Sequence, residues 1–334
     1  ILPRPKNSWH KYLEKLSGQR LCESLAPDKY YSNKAIIIMC MADSNSLGRQ
    51  LSKRSYSPED IYGRRCVIGV QRASQFSPNS VGKDLAILSS VVLQFNGKIV
   101  PEDNISVLSA LHKLEPKAVF SMARGEKALE ILTEVEKHGV QVINSPEGVA
   151  NCRRSRLEAL MRANGIPVPL PDDGENNGFW LKRGDATAQS HDDVVFCRDR
   201  EALNAEMAEF ERRGITDYVV QSHVKGDLVK FYGVCPVTAG NEHAETFFRV
   251  FYPSDDGISK FGDEKINGKA QYFAFSRKAM QREAERVAAL VGVDVYGGDA
   301  IVRADGSFVI IDFNDWPSFS RCRADAAKAI AALV

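Results

Sequence analysis

Gly298-Asp299-Ala300-Ile301-Val302-Arg303, then Ala304-Asp305-Gly306-Ser307, then Phe308-Val309-Ile310-Ile311-Asp312-Phe313-Asn314 is the stretch on which the reading turns. Asp-Gly between two apolar runs is a strong short hairpin signal. A two-residue Asp305-Gly306 loop pairs Ala304 with Ser307, and counting back sets Asp299 opposite Asp312. Asn314, two residues on, shares a face with Asp312. Two carboxylates facing each other across a ladder repel, so a cation between them is expected. Hard oxygen donors on one face suit Mg²⁺, which keeps waters and substrate phosphates in its shell. A solvated hairpin end is the plain alternative, and the apolar Ile310, Ile311 and Phe313 around the acids argue against it.

Upstream of this hairpin the spacing predicts a helix over 277–291. Before it come strand candidates at 179–182, 193–197, 218–221, 228–234 and 247–252, with no regular helical crossovers. That arrangement belongs to an α+β class with antiparallel pairing. A helix over about 153–164 stops at Gly165, with Pro167 and Pro169 beyond, and a loop rich in Pro, Asp, Gly and Asn follows. From residue 65 to about 144 the pattern alternates strand and helix, which implies a parallel α/β sheet covered on both faces. Ligands on such sheets lie beyond the carboxyl ends of the strands. Ser77-Pro78-Asn79-Ser80 stands at one such end and opens a helix; an anion site and a plain cap fit it equally. Gly82-Lys83-Asp84 is not a P-loop, since Ser77 replaces the first glycine and Asp84 stands where Ser or Thr is needed. Residues 1–62 read as an extension packed on the next domain, with a buried strand over 34–41.

Across 334 residues the charged fraction is 26% and the net charge +1, so nothing at whole-chain level points to nucleic acid or a membrane. The apolar run 35–41 is too short to span a bilayer. Seven scattered cysteines with no C-x-x-C pair argue against a disulfide framework and a zinc site, and a reduced cytoplasmic setting is expected.

At its end the sequence resembles the ATP-grasp superfamily: Gly298-Asp299, a hairpin, then Ile311-Asp312-Phe313-Asn314-Asp315-Trp316-Pro317 is similar to that family's metal-binding close. Asn144 to Pro169 resembles the segment with a basic residue before a helix ending Gly-Ile-Pro. Trp180-Leu181-Lys182 is similar to the strand whose lysine reaches the ATP phosphates. Val219 to Gly226 resembles the hinge that holds adenine, followed by Asp227 and Lys230. The ordered set covers about residues 65–334. The resemblance implies a glutathione-synthetase-like architecture, with a pre-ATP-grasp α/β domain at 63–150 and an ATP-grasp domain at 151–334. Within the latter, small (about 170–224) and large (about 225–334) α+β subdomains clasp ATP.

The implied nucleotide contacts are Lys182, Gln221, Ser222, His223, Val224 and Asp227, with one of Arg153, Arg154 and Arg156, Arg154 foremost. The implied metal ligands are Asp299, Asp312 and Asn314, and the implied reacting groups are Lys230, Arg321 and His191. Arg249, Lys260, Lys265, Lys269, Arg321 and Arg323 are candidates for an acceptor pocket. The glycine-rich flap of many relatives is missing after Lys182, where residues 183–191 are poor in glycine. Expected partners are Mg²⁺, ATP and a small anionic acceptor, and a homodimer is one expected assembly.

Two chemistries fit such a site. A carboxylate activated as an acyl phosphate and captured by an amine makes a carboxylate-amine ligase, the commoner chemistry of the resemblance and the expectation placed first. A hydroxyl acceptor makes a small-molecule kinase. Toward that side, Ser190-His191, Val229-Lys230-Phe231-Tyr232-Gly233-Val234 and Asp at 312 resemble the inositol 1,3,4-trisphosphate 5/6-kinase branch. A non-catalytic nucleotide-binding protein ranks last.

Overall fold

The computed structural model describes residues 66–185, 191–239, 241, 243–253, 266 and 268–334, all within the compact unit Ser57–Val334. The strand expected at 34–41 and the rest of residues 1–62 lie outside the described residues, as do Lys260 and Lys265.

The alternating segment forms a four-stranded parallel sheet in the order β2-β1-β3-β4. Its strands are β1 (Val67–Gln71), β2 (Lys98–Pro101), β3 (Ala118–Ser121) and β4 (Gln141–Ile143). Helices α1 (Val81–Val92), α2 (Ile105–Leu114) and α3 (Glu126–Lys137) make the crossovers that parallel pairing requires. Central β3 is buried at every residue, which is why it reads as a continuous apolar run. β2 was not expected from the sequence: it is an edge strand of four residues ending in Pro101, a residue tolerated only where no ladder partner is needed.

Two short helices, α4 (Pro146–Asn151) and α5 (Arg154–Ala163), lead into a three-stranded antiparallel sheet, β6-β5-β7. It comprises β5 (Phe179–Arg183), β6 (Val194–Cys197) and β7 (Tyr218–Ser222). Leu181 of β5 packs with Leu203 and Phe210 of α6 (Arg200–Arg212), whose first turn is capped by the Asp199 carboxylate accepting from Ala202 N. A four-stranded antiparallel sheet follows, in the order β11-β10-β8-β9. Its strands are β8 (Asp227–Val234), β9 (Phe247–Phe251), β10 (Val295–Val302) and β11 (Phe308–Asp315). Helix α7 (Arg277–Val291) packs behind it through Met280, Ala284, Val287 and Val291, and α8 (Arg323–Ala331) closes the chain.

The parallel sheet and the last sheet share one core. Trp316, fully buried, meets Phe120 edge-on at 6.4 Å and donates its indole N–H to Ile143 O at 3.3 Å. Asn144 binds the other side of the junction: its amide donates to Val295 O and its carbonyl accepts from Asp294 N and Val295 N. The end of β11 is thereby held directly under the carboxyl ends of β1 and β3.

The hairpin brings Asp299 opposite Asp312 as expected, but by a different route. Arg303 N donates to Ser307 O and Gly306 N to Arg303 O, so the loop is the three residues Ala304-Asp305-Gly306, with Gly306 at φ +82°. Three-residue hairpins place glycine at that left-handed position. The shorter strand pairing that results would misalign the acids by one residue. A bulge restores them: Ala300 pairs with Ile310 and Asp299 with Asp312, leaving Ile311 as the extra residue.

Candidate functional site

Asp299 lies on β10, whose residues are all buried, and its neighbours on both sides are chemically distinct. Toward β11 it faces Asp312; toward β8 it faces Lys230, whose Nζ donates to Asp299 Oδ1 at 2.6 Å. Asn314 donates its amide N–H to Asp312 Oδ2 at 2.9 Å. The three expected ligands are therefore gathered on one face, with an ammonium balancing one of the acids. Among the described residues no cluster of three or more His, Cys, Asp or Glu is placed to hold a metal. Two carboxylates and an amide are a sparse set, and that suits Mg²⁺, which binds through one or two carboxylates and takes its remaining oxygens from water and phosphate.

The bulge has a second effect. Ile311 O, turned out of the ladder, accepts from Lys182 Nζ at 2.9 Å. The same ammonium donates to Gln221 Oε1 at 2.7 Å, and Gln221 Nε2 donates to Glu158 Oε2 at 2.9 Å. Arg162 bonds Glu158 and Pro169 O in turn. Lys182 is only 7% exposed, so this relay sets its position before any ligand arrives. Gln221, expected among the nucleotide contacts of the hinge, lines the cleft, and its side chain also orients Lys182.

Next to Lys182 the hinge forms an apolar slot. Ser222 N donates to Leu170 O and His223 N to Gly178 O, whereas the Val224 amide donates to no backbone acceptor among the described residues. Trp180 Nε1 donates to His223 Nδ1 at 3.1 Å. An indole N–H is a donor only, so Nδ1 is the acceptor and the imidazole carries its proton on Nε2. Burial first, then the charge of Lys225, lowers the His223 pKa and keeps the ring neutral. Trp180 and Val194 wall the slot from the small sheet, Ile301 and Ile311 from the large one.

Slot and acids open into one cavity of about 490 Å³ that also reaches Arg72, Ser77, Ser80, Lys83, Arg124 and Arg321. A second cavity of about 450 Å³ lies against α4 and α5, and the two share Arg124, Arg154, Asp312 and Asn314. Of the three candidate arginines, Arg154 lines both cavities and donates to Arg183 O; Arg153 lines the second only and pairs with Glu126; Arg156 is exposed and lines neither. Arg321 donates to Tyr252 O at 3.0 Å, with its guanidinium over the Phe251 ring.

Other expected residues lie elsewhere. Asp227 lines neither cavity: its two carboxylate oxygens accept from Gln271 N and Phe273 N, so it anchors that segment to β8. Arg249 and Lys269 are exposed and line neither cavity. Arg323 begins α8 away from both. The His191 side chain lies outside the described residues, although its backbone falls in a short turn before β6.

The sequence reading missed a buried charge cluster at the carboxyl ends of the parallel sheet. Arg72 follows β1 directly and pairs with Asp84 at 3.3 Å and Asp315 at 3.2 Å; Arg124, after β3, pairs with the other oxygen of Asp315. Glu102, after β2, accepts from the backbone amides of Ala73, Arg124 and Gly125. Burial alone would raise the Asp315 carboxyl, and the charges of Arg124 and Arg72 overcome it and hold the group below the usual carboxylate range. The strand order reverses about β1 and β3, so this cluster occupies the crevice where open α/β sheets take ligands.

Solved structures share this architecture. The ATP-grasp ligase PsnB, in complex with a minimal precursor, aligns with 80% of this chain and 100% of its own at a TM-score of 0.50 and 18% identity. The chain has the ATP-grasp fold. The ADP complex of purK, N5-carboxyaminoimidazole ribonucleotide synthetase, aligns with 80% of this chain and 78% of its own at a TM-score of 0.57 and 13% identity. Among curated sequences, human beta-citrylglutamate synthase B is 25% identical over 227 residues, 62% of this chain. The match spans 56% of that relative, little more than half its length. No family model matches the sequence. No helix among the described residues is long and apolar enough to cross a membrane.

Proposed function

We propose that this ATP-grasp protein is a carboxylate-amine ligase that uses Mg-ATP to activate a small anionic acid as its acyl phosphate. The observation that carries the reading is the meeting of a buried, pre-positioned Lys182 with the Asp299, Asp312 and Asn314 face at the bulge of β11. Adenine fits the slot of Trp180, Val194, Ile301 and Ile311, with the Val224 amide as its edge donor. Lys182 and Arg154 line the path of the phosphates. Asp299, Asp312 and Asn314 would hold Mg²⁺, which supplies charge neutralisation on the β- and γ-phosphate oxygens.

The chain's own groups account for the rest. Lys230, bonded to Asp299, offsets the repulsion between the two acids, a task that a bound dication would share. Arg72, Lys83, Arg124 and Arg321 give the far end of the cleft a positive lining that matches an anionic acceptor. The acceptor's carboxylate oxygen bonds to the γ-phosphorus while ADP departs with the electron pair of the broken bond. An amine then attacks the acyl carbon; the bond from that carbon to the phosphate oxygen breaks with its electron pair on the departing inorganic phosphate, which takes up the proton lost from the amine. The names of the similar proteins, a ligase and a synthase, support this order over transfer to a hydroxyl. The division of the chain into an acceptor-facing domain at 63–150 and an ATP-grasp domain at 151–334 belongs to the same proposal.

The test is a screen of acids, alone and with amines, for stimulated ADP release with product analysis. ADP formation that needs both an acid and an amine, with an amide product, supports the ligase. A stable phosphate ester of an alcohol would replace it with a kinase.

A further inference from the structure

The two arginines at the ends of the central strands differ in a way that separates a brace from a reagent. Arg72 reaches only the first cavity: its side chain is 6% exposed and is bonded to Met122 O at 3.1 Å, Asp84 and Asp315. Arg124 shares the Asp315 partner, yet its side chain is 15% exposed. It lines both cavities, at the place where they meet beside Asp312 and Asn314. An arginine kept only to hold the parallel sheet against β11 needs no place at the junction of the two cavities. Its backbone is also fixed with unusual care, because Glu102 takes the amides of both Arg124 and Gly125 at 2.8 and 2.9 Å.

We propose that Arg124 is a catalytic residue, its guanidinium contacting the phosphoryl group in transit between nucleotide and acceptor, with Asp315 as its positioning residue. The inference rests on the reading of the cleft as a Mg-ATP site. In the transfer the bond from the γ-phosphorus to the β–γ bridging oxygen breaks, and its electron pair leaves with ADP as the acceptor oxygen bonds to phosphorus. Arg124 gives up no proton; its planar fork donates hydrogen bonds to the equatorial oxygens, where charge is spread in the transition state. Lys182 and Arg154 approach those oxygens from β5 and α5, and Arg124 meets them from the parallel sheet, so the charge is enclosed by cations from two sides. A donor set fixed before the reaction works without reorganisation, which is what the Asp315 bond provides.

Calorimetric titration of the full chain with Mg-ADP, with and without aluminium fluoride as a mimic of the transferring phosphoryl group, tests this without knowledge of the acceptor. The wild type is expected to gain about tenfold or more in affinity when fluoride is added, as tight binding of a transition-state mimic requires. Arg124→Ala is expected to lose that gain while binding Mg-ADP within about threefold of the wild type, and methylguanidine is expected to restore part of it. Arg124→Lys, which keeps the charge beside Asp315, covers the case in which the alanine variant does not fold, and it too is expected to lose most of the gain. Asp315→Asn is expected to reduce the gain with Mg-ADP affinity retained. An unchanged fluoride gain in a folded Arg124 variant overturns the proposal, as does an equal weakening of both complexes or a wild type that binds Mg-ADP with no gain at all. A wild type that does not bind Mg-ADP would instead bring down the underlying reading of the cleft.

Discussion

Replacing Lys182 by methionine isolates the most exacting part of the site. Methionine has nearly the same length and keeps the apolar stem, so the change removes the ammonium and little packing. In the wild type Lys182 is 7% exposed, and its ammonium is bonded at 2.7 Å to Gln221 and 2.9 Å to Ile311 O. A unit charge about 4 Å from a phosphate gains about 4 kcal/mol at an effective dielectric of about 20. Surrendering the two resting hydrogen bonds offsets about 1–2 kcal/mol of this. The net, about 2–3 kcal/mol, corresponds to roughly 30- to 150-fold weaker binding of Mg-ATP. Adenosine, which occupies only the slot, is expected to bind within about threefold of wild type. Titration calorimetry with both ligands measures the difference directly. Equal losses for adenosine and Mg-ATP would show that the substitution damaged the slot, and no loss for either would remove Lys182 from the phosphate path.

Asp312→Asn removes a charge and almost no volume, so the fold should survive by thermal melting while Mg²⁺-dependent turnover falls by at least about 100-fold, about 3 kcal/mol. Gly298→Ala drives a methyl group into the backbone oxygen of Asp312 and the ring of Phe231. It is expected to cost about 1–3 kcal/mol in a denaturant titration and to weaken Mg²⁺ binding with it. Glu136 offers a pH test outside the site. Burial first, then the Glu147 carboxylate, pushes its carboxyl from 4.5 up to about 7. A raised folded-state value gives stability that is full below about pH 4.5 and lost as the pH rises through about 7. Glu136→Gln should therefore melt higher than wild type at pH 8 and show no such advantage at pH 4; a constant difference at both would refute the shift.

The terminal hairpin was legible because its signals are local: an Asp-Gly turn, two apolar strands and acids at fixed offsets. Its inner workings were not. The count assumed a two-residue loop, and two departures, a longer turn and a bulge at Ile311, cancel in the facing of Asp299 and Asp312. A bulge leaves no mark in a run such as Val309-Ile310-Ile311, where every residue is apolar. The strands that carry Lys182 and Gln221 could be read from pattern, whereas the part played by Glu158 could not, since only the fold brings α5 under β7 to meet Gln221. Arg72 and Arg124 stand alone after short strands and look like solvated charges in the sequence. Their partner Asp315 lies 243 and 191 residues away, and its acidity seemed to belong to the metal face beside it. Asp227 misled for the opposite reason: it sits next to the hinge in the chain, yet it faces the amides of Gln271 and Phe273.

The hydrogen bond from Lys182 to Ile311 O ties the three-stranded sheet to the four-stranded one. On the proposed reading, a polyphosphate entering the cleft would compete for the ammonium that makes this tie. Loading the site would then unfasten a latch as well as fill a cleft, and the ligand would itself become the strap between the two sheets. Release of ADP would let the latch re-form, so each turnover would end with the jaws pinned by the protein alone.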